Sequence, residues 1–288
     1  MTEEQLSRAL EFCKLAEERQ KIYIKKKAGE PKPWTEDKIF QSSRFCNVFR
    51  EQDKTSVFIK TNIIDKYRDD PNNWKRIIIA RFFSRLDTLQ DLEEHGEMES
   101  VETMLKGIER RRQLSLPVHT HSFFVGRASP DHPTYLRPFN LVKKLEMSGD
   151  SKVFKGSSLE KAYLTLREYS WNGSFMAYQY VCDLAYDEQY LLNATDHDTF
   201  IAFGPGSQRG MNRILTGEPY GDTDVDFVSF CVEFLSLWRQ YVTDTVKEDA
   251  HEDMKRFYNL HLCNVQHWLC EYDKYKRGGS SKRRYEGI

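Results

Sequence analysis

The sequence predicts a mainly α-helical protein, a multi-helix globule that contains a helix-hairpin-helix-like element. Two observations predict this fold class. Apolar residues recur every three or four positions over much of the chain, whereas strand-like alternation is scarce. The composition, with 39% hydrophobic and 13% aromatic residues among 288, is typical of a chain that buries a core.

Helix boundaries are predicted from capping signals and from apolar residues that recur on one face. The first helix begins at Thr2, which has capping-box spacing to Gln5, and ends before the basic, proline-containing linker 25–33. The second begins at Thr35 and continues to about Arg50. Later helices are predicted over 73–95, 99–113, 157–170 and 174–187 and, from aromatic stripes, over 227–241 and 254–272.

The remaining segments complete the predicted organisation. Ser157 is the predicted cap of the helix that follows it, and the proline-rich segment 116–138 is predicted to be irregular. Residues 1–277 then form a single helical domain, or two subdomains within it. Residues 278–288, which are rich in glycine, serine and basic side chains, form a flexible basic tail.

Charge and cysteine content exclude several classes of protein. Lys plus Arg total 43 and Asp plus Glu total 44, so a DNA-coating surface over the whole molecule is excluded and any basic surface is local. The apolar stretches are short, which predicts no membrane partner and a cytoplasmic location. The six cysteines form no C-x-x-C pair, so we predict neither a metal site nor a disulfide framework.

A glycine-rich motif provides the sharpest local signal. A tight turn directs backbone amides outward, and a helix that begins just after it adds unpaired N–H groups that can bind phosphate. Two arginines four residues apart share one helix face. An ordinary helix–helix turn with solvated arginines is the alternative. The predicted phosphate-binding and DNA-binding residues are Gly204, Pro205, Gly206, Ser207, Gln208, Arg209, Gly210 and Arg213.

A second motif covers residues 42–53. On a helix Arg44, Asn47 and Glu51 would lie on one face, with Arg50 beside them. Guanidinium groups match phosphate oxygens in a bidentate way, so this pattern favours an anionic ligand. A salt-bridge network of Arg50 with Glu51 or Asp53 is equally compatible with it.

Asp183 interrupts a strongly apolar predicted helix. A carboxylate in such a position must find a partner or accept a raised pKa. Asp183 is therefore either a member of an ion pair or a general base. The sequence contains no P-loop, no dinucleotide-binding glycine motif and no G-x-S-x-G motif, which excludes the usual kinase, Rossmann and hydrolase classes.

Four motifs stand out together by their order and spacing: Arg44–Asp53, Phe175–Gln179, Phe203–Arg213 and Leu269–Tyr275. On these motifs the chain resembles the phage α-glutamyl/putrescinyl thymine pyrophosphorylases. These amino acid:DNA transferases share a helical domain also named for 5-hydroxymethyluracil DNA kinases. The resemblance covers residues from about 40 to 277, which is most of the chain.

The resemblance implies a reaction on thymine-derived bases in DNA, in the host cytoplasm of a phage infection. A separate DNA kinase would pyrophosphorylate 5-hydroxymethyluracil, and this chain would displace pyrophosphate with the amine of an amino acid or polyamine. Arg44, Asn47 and Arg50 would bind the pyrophosphate, and Asp183 or Glu51 would accept a proton. The turn at 204–210 would hold the strand in a DNA cleft. No cofactor is required, although Mg²⁺ could bridge the pyrophosphate.

Two alternatives stay open. The chain is also distantly similar to helix-hairpin-helix DNA glycosylases, in which a catalytic aspartate follows the hairpin; Asp222, Asp224 and Asp226 are the candidates here. Gln208 stands where lyase-type members carry a nucleophilic lysine, so only a monofunctional glycosylase fits. The third interpretation is a non-catalytic DNA-binding module of a modification complex.

Overall fold

The computed structural model describes residues 1–120, 133–169 and 173–279, and within these ranges it contains helices and turns but no strand. The prediction of a mainly helical protein is therefore confirmed, whereas the likeness to helix-hairpin-helix glycosylases stays a prediction. Over the same ranges no helix is both long and apolar enough to cross a membrane.

The described residues contain α-helices of 4 to 25 residues. In chain order they are α1 (Glu3–Lys27), α2 (Lys38–Ser42), α3 (Lys54–Ile59), α4 (Trp74–Phe83), α5 (Leu86–Glu94), α6 (Val101–Gln113), α7 (Arg137–Ser148), α8 (Leu159–Arg167), α9 (Ser174–Leu184), α10 (Pro205–Thr216), α11 (Phe227–Thr245), α12 (Glu252–Lys255) and α13 (Leu262–Lys276). A π-helical segment, Lys60–Asp65, continues α3. Single 3₁₀ segments cover Arg50–Gln52, Thr134–Leu136, Asp150–Lys155 and Arg256–Asn259.

The chain divides into two compact units. Unit 1 consists of Met1–Gln52 together with His197–Ile288, so it is built from both ends of the sequence, and its residues 280–288 lie outside the described chain. Unit 2 is the continuous stretch Asp53–Asp196.

An aromatic cluster forms the core of unit 1. Phe12 of α1 is fully buried, and its ring lies edge-on to Phe234 at 5.0 Å, Trp238 at 4.9 Å and Tyr272 at 5.5 Å. These partners come from α11 and α13, so the aromatic stripes of the C-terminal helices meet α1. Edge-to-face aromatic pairs contribute about 0.5–1.5 kcal/mol beyond the area that they bury.

Unit 2 is built around α4 and α9, which pack together. The apolar run of α4, residues 77–80, is completely buried, and α9 is buried from Met176 to Leu184. A helix that is apolar around its whole circumference is typical of a core position. Polar side chains on α4 and α9 must therefore be satisfied inside the unit.

The predicted second helix, from Thr35 to about Arg50, is wrong. The helix is only α2, capped by Asp37, whose carboxylate accepts from the backbone N–H groups of Ile39 and Phe40. Residues 43–49 are irregular because tertiary bonds replace helical ones. The backbone N–H of Cys46 donates to Glu271 instead of to a carbonyl one turn earlier.

Other boundaries also differ from the prediction. The helix predicted over 73–95 is two helices, because α4 ends at Ser84 in the left-handed region (φ 45°). Ser158, not Ser157, caps α8. The irregular segment predicted over 116–138 ends early, since Arg137 and Pro138 form the first turn of α7, where the missing N–H of proline has no effect on helix bonding. Residues 121–132 of that segment lie outside the described residues.

Candidate functional site

The segment that follows α2 is fixed mainly through Asn47. Its Oδ1 accepts from Nη2 of Arg19 at 2.6 Å, and its Nδ2 donates to the carbonyl of Gln52 at 2.8 Å. The side chain of His267 contacts the Asn47 carbonyl at 3.1 Å. Asn47 therefore holds the loop against α1 and α13, and it does not share a helix face with Arg44 and Glu51 as predicted.

The charged residues of this motif differ in their surroundings. Arg50 is only 4% exposed, whereas Arg44 is exposed and its carbonyl accepts from Lys274. Glu51 forms an ion pair with Nη1 of Arg256 at 3.3 Å. The motif thus contains one buried guanidinium, Arg50, and one exposed guanidinium, Arg44. Its glutamate, Glu51, is paired with an arginine.

The glycines of the α10 motif allow a close approach between α10 and α13. A Cβ atom on Gly210 would lie 2.2 Å from the backbone carbonyl oxygen of Leu269, and one on Gly206 would lie 3.0 Å from Sγ of Cys270. The turn itself is closed by Ser207, whose Oγ accepts from the Gly204 N–H at 3.0 Å. Gly206 and Gly210 are therefore explained by helix packing.

The two arginines of the same motif converge on Asp273 of α13, which has zero exposure. Its carboxylate accepts from Nε of Arg209 at 2.9 Å, Nε of Arg213 at 2.9 Å and Nε of Arg277 at 3.2 Å. The arginine side chains are 20%, 11% and 43% exposed. We call Arg209, Arg213 and Arg277 the arginine cluster.

The arginine cluster carries more positive charge than its partner compensates. A single carboxylate among three guanidinium groups leaves an excess of two positive charges. Within the described residues each of these three side chains donates to Asp273 through Nε. Sequence reasoning missed Asp273 and Arg277, although their spacing of four on a helix is a recognisable pair signal.

Asp183 is one half of a buried ion pair in unit 2. Its Oδ2 accepts from Nε of Arg81, and its Oδ1 accepts from Nη2 of the same side chain at 2.9 Å. Arg81 also donates to Oγ of Ser56 at 3.0 Å. The ion-pair interpretation of Asp183 therefore has a partner, Arg81, while its role as a general base stays a prediction.

The predicted site residues thus lie in different units. Unit 1 contains Arg44, Asn47, Arg50, Glu51 and the α10 motif, and unit 2 contains Asp183. In unit 1 three of the four sequence motifs meet at α13. Glu271 and Asp273 both belong to the motif Leu269–Tyr275. Glu271 accepts a hydrogen bond from the motif Arg44–Asp53, and Asp273 accepts hydrogen bonds from the α10 motif.

A group of possible metal ligands occurs in unit 2. Asp91, His95 and Glu97 place ligand atoms within 4.8 Å of one another. Arg110 already donates to Asp91 at 2.6 Å and to Glu97 at 2.7 Å. The acidic charge is therefore compensated by a cation of the chain itself, and this group is explained as an ion-pair network.

Over the described residues the chain is a strand-free helical protein in which three arginines converge on one buried carboxylate. Comparison with known families makes the class specific. Residues 7–283 match the family described as the helical domain of 5-hmdU DNA kinase, and the chain belongs to this family. The resemblance to phage thymine-modification proteins is thereby confirmed at the level of the family.

A curated relative agrees with this assignment. The chain is 22% identical over 292 residues to a protein named 5-hmdU DNA kinase from Bacillus phage SP10. The alignment covers 93% of this chain but 45% of the relative, so the chain spans less than half of the relative's length. Comparison with solved structures gave no match.

Proposed function

We propose that this chain binds DNA that carries 5-hydroxymethyluracil, or a phosphorylated form of that base, and takes part in its further modification. The family and the phage relative, a 5-hmdU DNA kinase, support the class of substrate. The observation that carries DNA binding is the arginine cluster, in which three guanidinium groups are fixed on one buried carboxylate.

The geometry of the arginine cluster suits a phosphate group. A bond from Nε to Asp273 restrains the plane of each guanidinium, so less side-chain entropy is lost on binding. Contacts of this kind hold the DNA backbone without reading its sequence. Because the net charge of the chain is -1, such a local excess of positive charge is what non-sequence-specific binding requires.

The reaction that we propose is the displacement of pyrophosphate by an amine. A separate kinase would supply 5-pyrophosphoryloxymethyluracil in DNA, and an amino acid or a polyamine would supply the nitrogen. The C–N bond forms as the C–O bond breaks, and the electron pair of the C–O bond leaves with pyrophosphate. The lack of a P-loop fits a step that follows phosphoryl transfer.

In this reaction the chain must stabilise a leaving anion and accept a proton. Arg44, Asn47 and Arg50 are our candidates for pyrophosphate binding, with Mg²⁺ as an optional bridge between phosphate oxygens. Asp183 and Glu51 are the carboxylate candidates for the proton acceptor. Each is ion-paired, Asp183 with Arg81 and Glu51 with Arg256, so a catalytic role requires that the pair open when substrate binds.

A second candidate function is a DNA-binding domain without its own chemistry. One observation favours it: both candidate carboxylates are engaged by arginines. In that case this chain holds the modified DNA, and the chemistry belongs to another protein.

Mass analysis of nucleosides separates these functions. The chain is incubated with a 5-hydroxymethyluracil oligonucleotide, with and without prior kinase treatment, in the presence of glutamate, glycine or putrescine. We expect an amine adduct only after kinase treatment. A bound but unchanged oligonucleotide would favour the non-catalytic domain, and a released free base would favour the glycosylase alternative.

Salt-dependent binding tests the arginine cluster. Arg277→Ala should weaken binding to duplexes of different sequence by similar factors and flatten the salt dependence by about one phosphate contact. Arg209→Ala should do the same. The control is Lys14→Ala, an exposed lysine of α1 in the same unit. If the Arg277→Ala and Arg209→Ala variants show the same affinity and salt slope as the Lys14→Ala variant, the arginine cluster does not bind DNA.

A further inference from the structure

A histidine that contacts a carboxylate lies at the start of α13 in unit 1. Nδ1 of His261 is 2.9 Å from Oδ1 of Asp198, and Oδ2 of the same carboxylate accepts from Nη2 of Arg239 at 2.7 Å. Arg239 also donates to the carbonyl of Leu260, the residue before the histidine. The carboxylate is therefore held from two sides.

Charge decides which nitrogen of His261 carries the proton. Burial raises the pKa of Asp198, but hydrogen bonds from His261 and Arg239 outweigh it and hold that pKa below its usual value. Asp198 is thus an acceptor only, and Nδ1 of His261 must donate to it. In the neutral imidazole the lone pair then lies on Nε2.

The backbone fixes the position of this imidazole. His261 is the N-cap residue of α13, and its backbone N–H donates to Oδ1 of Asn264 at 2.9 Å. The N–H of Leu262 donates to the carbonyl of His197 at 3.3 Å. Even so, the His261 side chain is 46% exposed, whereas Asp183 has no exposure at all. A solvated small molecule can therefore reach His261 without the opening of an ion pair.

We propose that His261 is a proton acceptor for the amine nucleophile and that Asp198 is its positioning residue. This inference rests on the proposed amine-for-pyrophosphate exchange and identifies a residue for it. Nε2 of His261 takes one proton from the substrate ammonium group. The freed lone pair on nitrogen forms the C–N bond, the C–O electron pair leaves with pyrophosphate, and the imidazolium can return its proton to that leaving group.

His261 and the arginine cluster belong to opposite ends of one rigid element. His261 caps the N-terminus of α13, and Asp273 lies near its C-terminus. At a rise of about 1.5 Å per residue, the two positions are ~18 Å apart along the helix. B-DNA rises about 3.4 Å per base pair, so ~5 base pairs span this distance. A DNA segment of about this length is therefore long enough to extend from the arginine cluster to His261.

The competing explanation is a structural bridge, in which Asp198 and Arg239 only fasten α11 to the start of α13. Both explanations predict loss of stability when Asp198 is replaced. Only the proton-acceptor proposal predicts that DNA covers a reactive Nε2, and that added imidazole restores part of the rate lost when His261 is replaced. The tests therefore measure reactivity and rescue.

The first experiment labels histidines with diethyl pyrocarbonate, which acylates unprotonated imidazole nitrogen, and locates the adducts by mass spectrometry. We expect His261 to react in the free chain and to be protected several-fold by a 5-hydroxymethyluracil duplex. The internal control is His95, which is 50% exposed and has a carboxylate oxygen of Asp91 at 3.7 Å. An unreactive His261, or one that DNA protects no better than His95, overturns the proposal.

The second experiment measures adduct formation on the kinase-treated oligonucleotide. His261→Gly should lower the rate by about 100-fold or more, the usual scale for loss of a general base, and added imidazole should restore part of it. Binding of the same oligonucleotide should not change. The control is His95→Gln, which should keep the wild-type rate. A His261→Gly variant with full rate overturns this inference and leaves the proposed function standing, whereas no adduct from the wild-type chain overturns both.

A spectroscopic measurement tests the role of Asp198. The ¹⁵N shifts of the His261 ring should show the Nδ1–H tautomer in the wild-type chain. In Asp198→Asn the population should move toward Nε2–H, because the amide no longer requires a donor, and the rate should fall with it. An unchanged tautomer in Asp198→Asn excludes the positioning role.

Discussion

Asp183 and Arg81 are the residues at which structural and catalytic roles compete. Both carboxylate oxygens of Asp183 accept from Arg81, and neither side chain is more than 5% exposed. Removing one partner of such a pair leaves an uncompensated buried charge, at a cost of about 3–5 kcal/mol. We expect Asp183→Asn to lower the free energy of unfolding on that scale, measured by urea denaturation.

The matched control is the double variant Arg81→Met with Asp183→Leu, which removes both charges and keeps the volume. It should be more stable than Asp183→Asn, because no buried charge is left unpaired. An Asp183→Asn variant that keeps wild-type stability and loses adduct formation would instead support the role of Asp183 as a proton acceptor.

Asp187, just after α9, should make the stability of the chain depend on pH. Burial raises the pKa of its carboxyl group, and Asp65 and Glu188 raise it further. Oδ2 of Asp187 is buried without a hydrogen-bond partner within the described chain. Because the folded pKa is higher than the unfolded one, this stabilising contribution is complete below the unfolded pKa and is lost as the pH rises through the folded pKa.

The comparison that measures this effect is wild type against Asp187→Asn, whose neutral amide resembles the protonated acid. As the pH rises from ~4 to 7, we expect the free energy of unfolding of Asp187→Asn to increase relative to that of the wild type. A difference that stays constant over this range would show that Asp187 does not titrate in it. Sequence reasoning did not select Asp187, because its burial depends on residues far away in the chain.

At the scale of elements, the packing of α10 on α13 depends on Gly210. Alanine is the better helix former by about 1 kcal/mol, but its Cβ would lie 2.2 Å from the carbonyl oxygen of Leu269. A backbone atom cannot rotate away, so the steric clash outweighs the helix propensity. We expect Gly210→Ala to lower the free energy of unfolding by about 1–3 kcal/mol, the usual cost of overpacking.

Gly173→Ala is the control for this prediction. Gly173 precedes α9 with φ -61°, and among the described residues a Cβ there would meet nothing within 4 Å, so the change should stay within about 0.5 kcal/mol. Equal stability of the Gly173→Ala and Gly210→Ala variants would mean that α10 can move away from α13 without cost. Because α13 also holds Asp273, Gly210→Ala should weaken DNA binding as well.

The elements also show what periodicity can and cannot predict. The apolar spacing correctly predicts α6, and the capping box at Thr2 correctly predicts the start of α1. Periodicity fails at residues 43–49, where Asn47 and the Cys46 N–H bond to α1, α13 and a following carbonyl. Those partners are distant in the sequence, and no local pattern contains them.

At the scale of the whole molecule, the same limit applies to the candidate site. The motifs were recognisable in the sequence, and phosphate binding by the arginines of the α10 motif stays a prediction. Their partner was not recognisable, because Arg209 and Asp273 are 64 residues apart, and Arg81 and Asp183 are 102 apart. A sequence shows which charges need partners, whereas the fold decides which charges meet.

The division into two units leads to a prediction about folding. Unit 2 is one continuous stretch of about 140 residues, a typical domain size, and it contains its own core around α4 and α9. Unit 1 needs both ends of the chain, since Phe12 packs against Phe234 and Tyr272. We therefore expect a fragment of residues 53–196 to fold alone and to unfold in a single cooperative urea transition, followed by circular dichroism.

The matched control is a fragment of residues 53–180, which ends inside α9. It lacks Asp183, so Arg81 would be left buried without its carboxylate, and the last buried turn of α9 is missing. We expect this shorter fragment to show no cooperative transition. If the 53–196 fragment behaves in the same way, the core of unit 2 is insufficient by itself, and its stability depends on the rest of the chain.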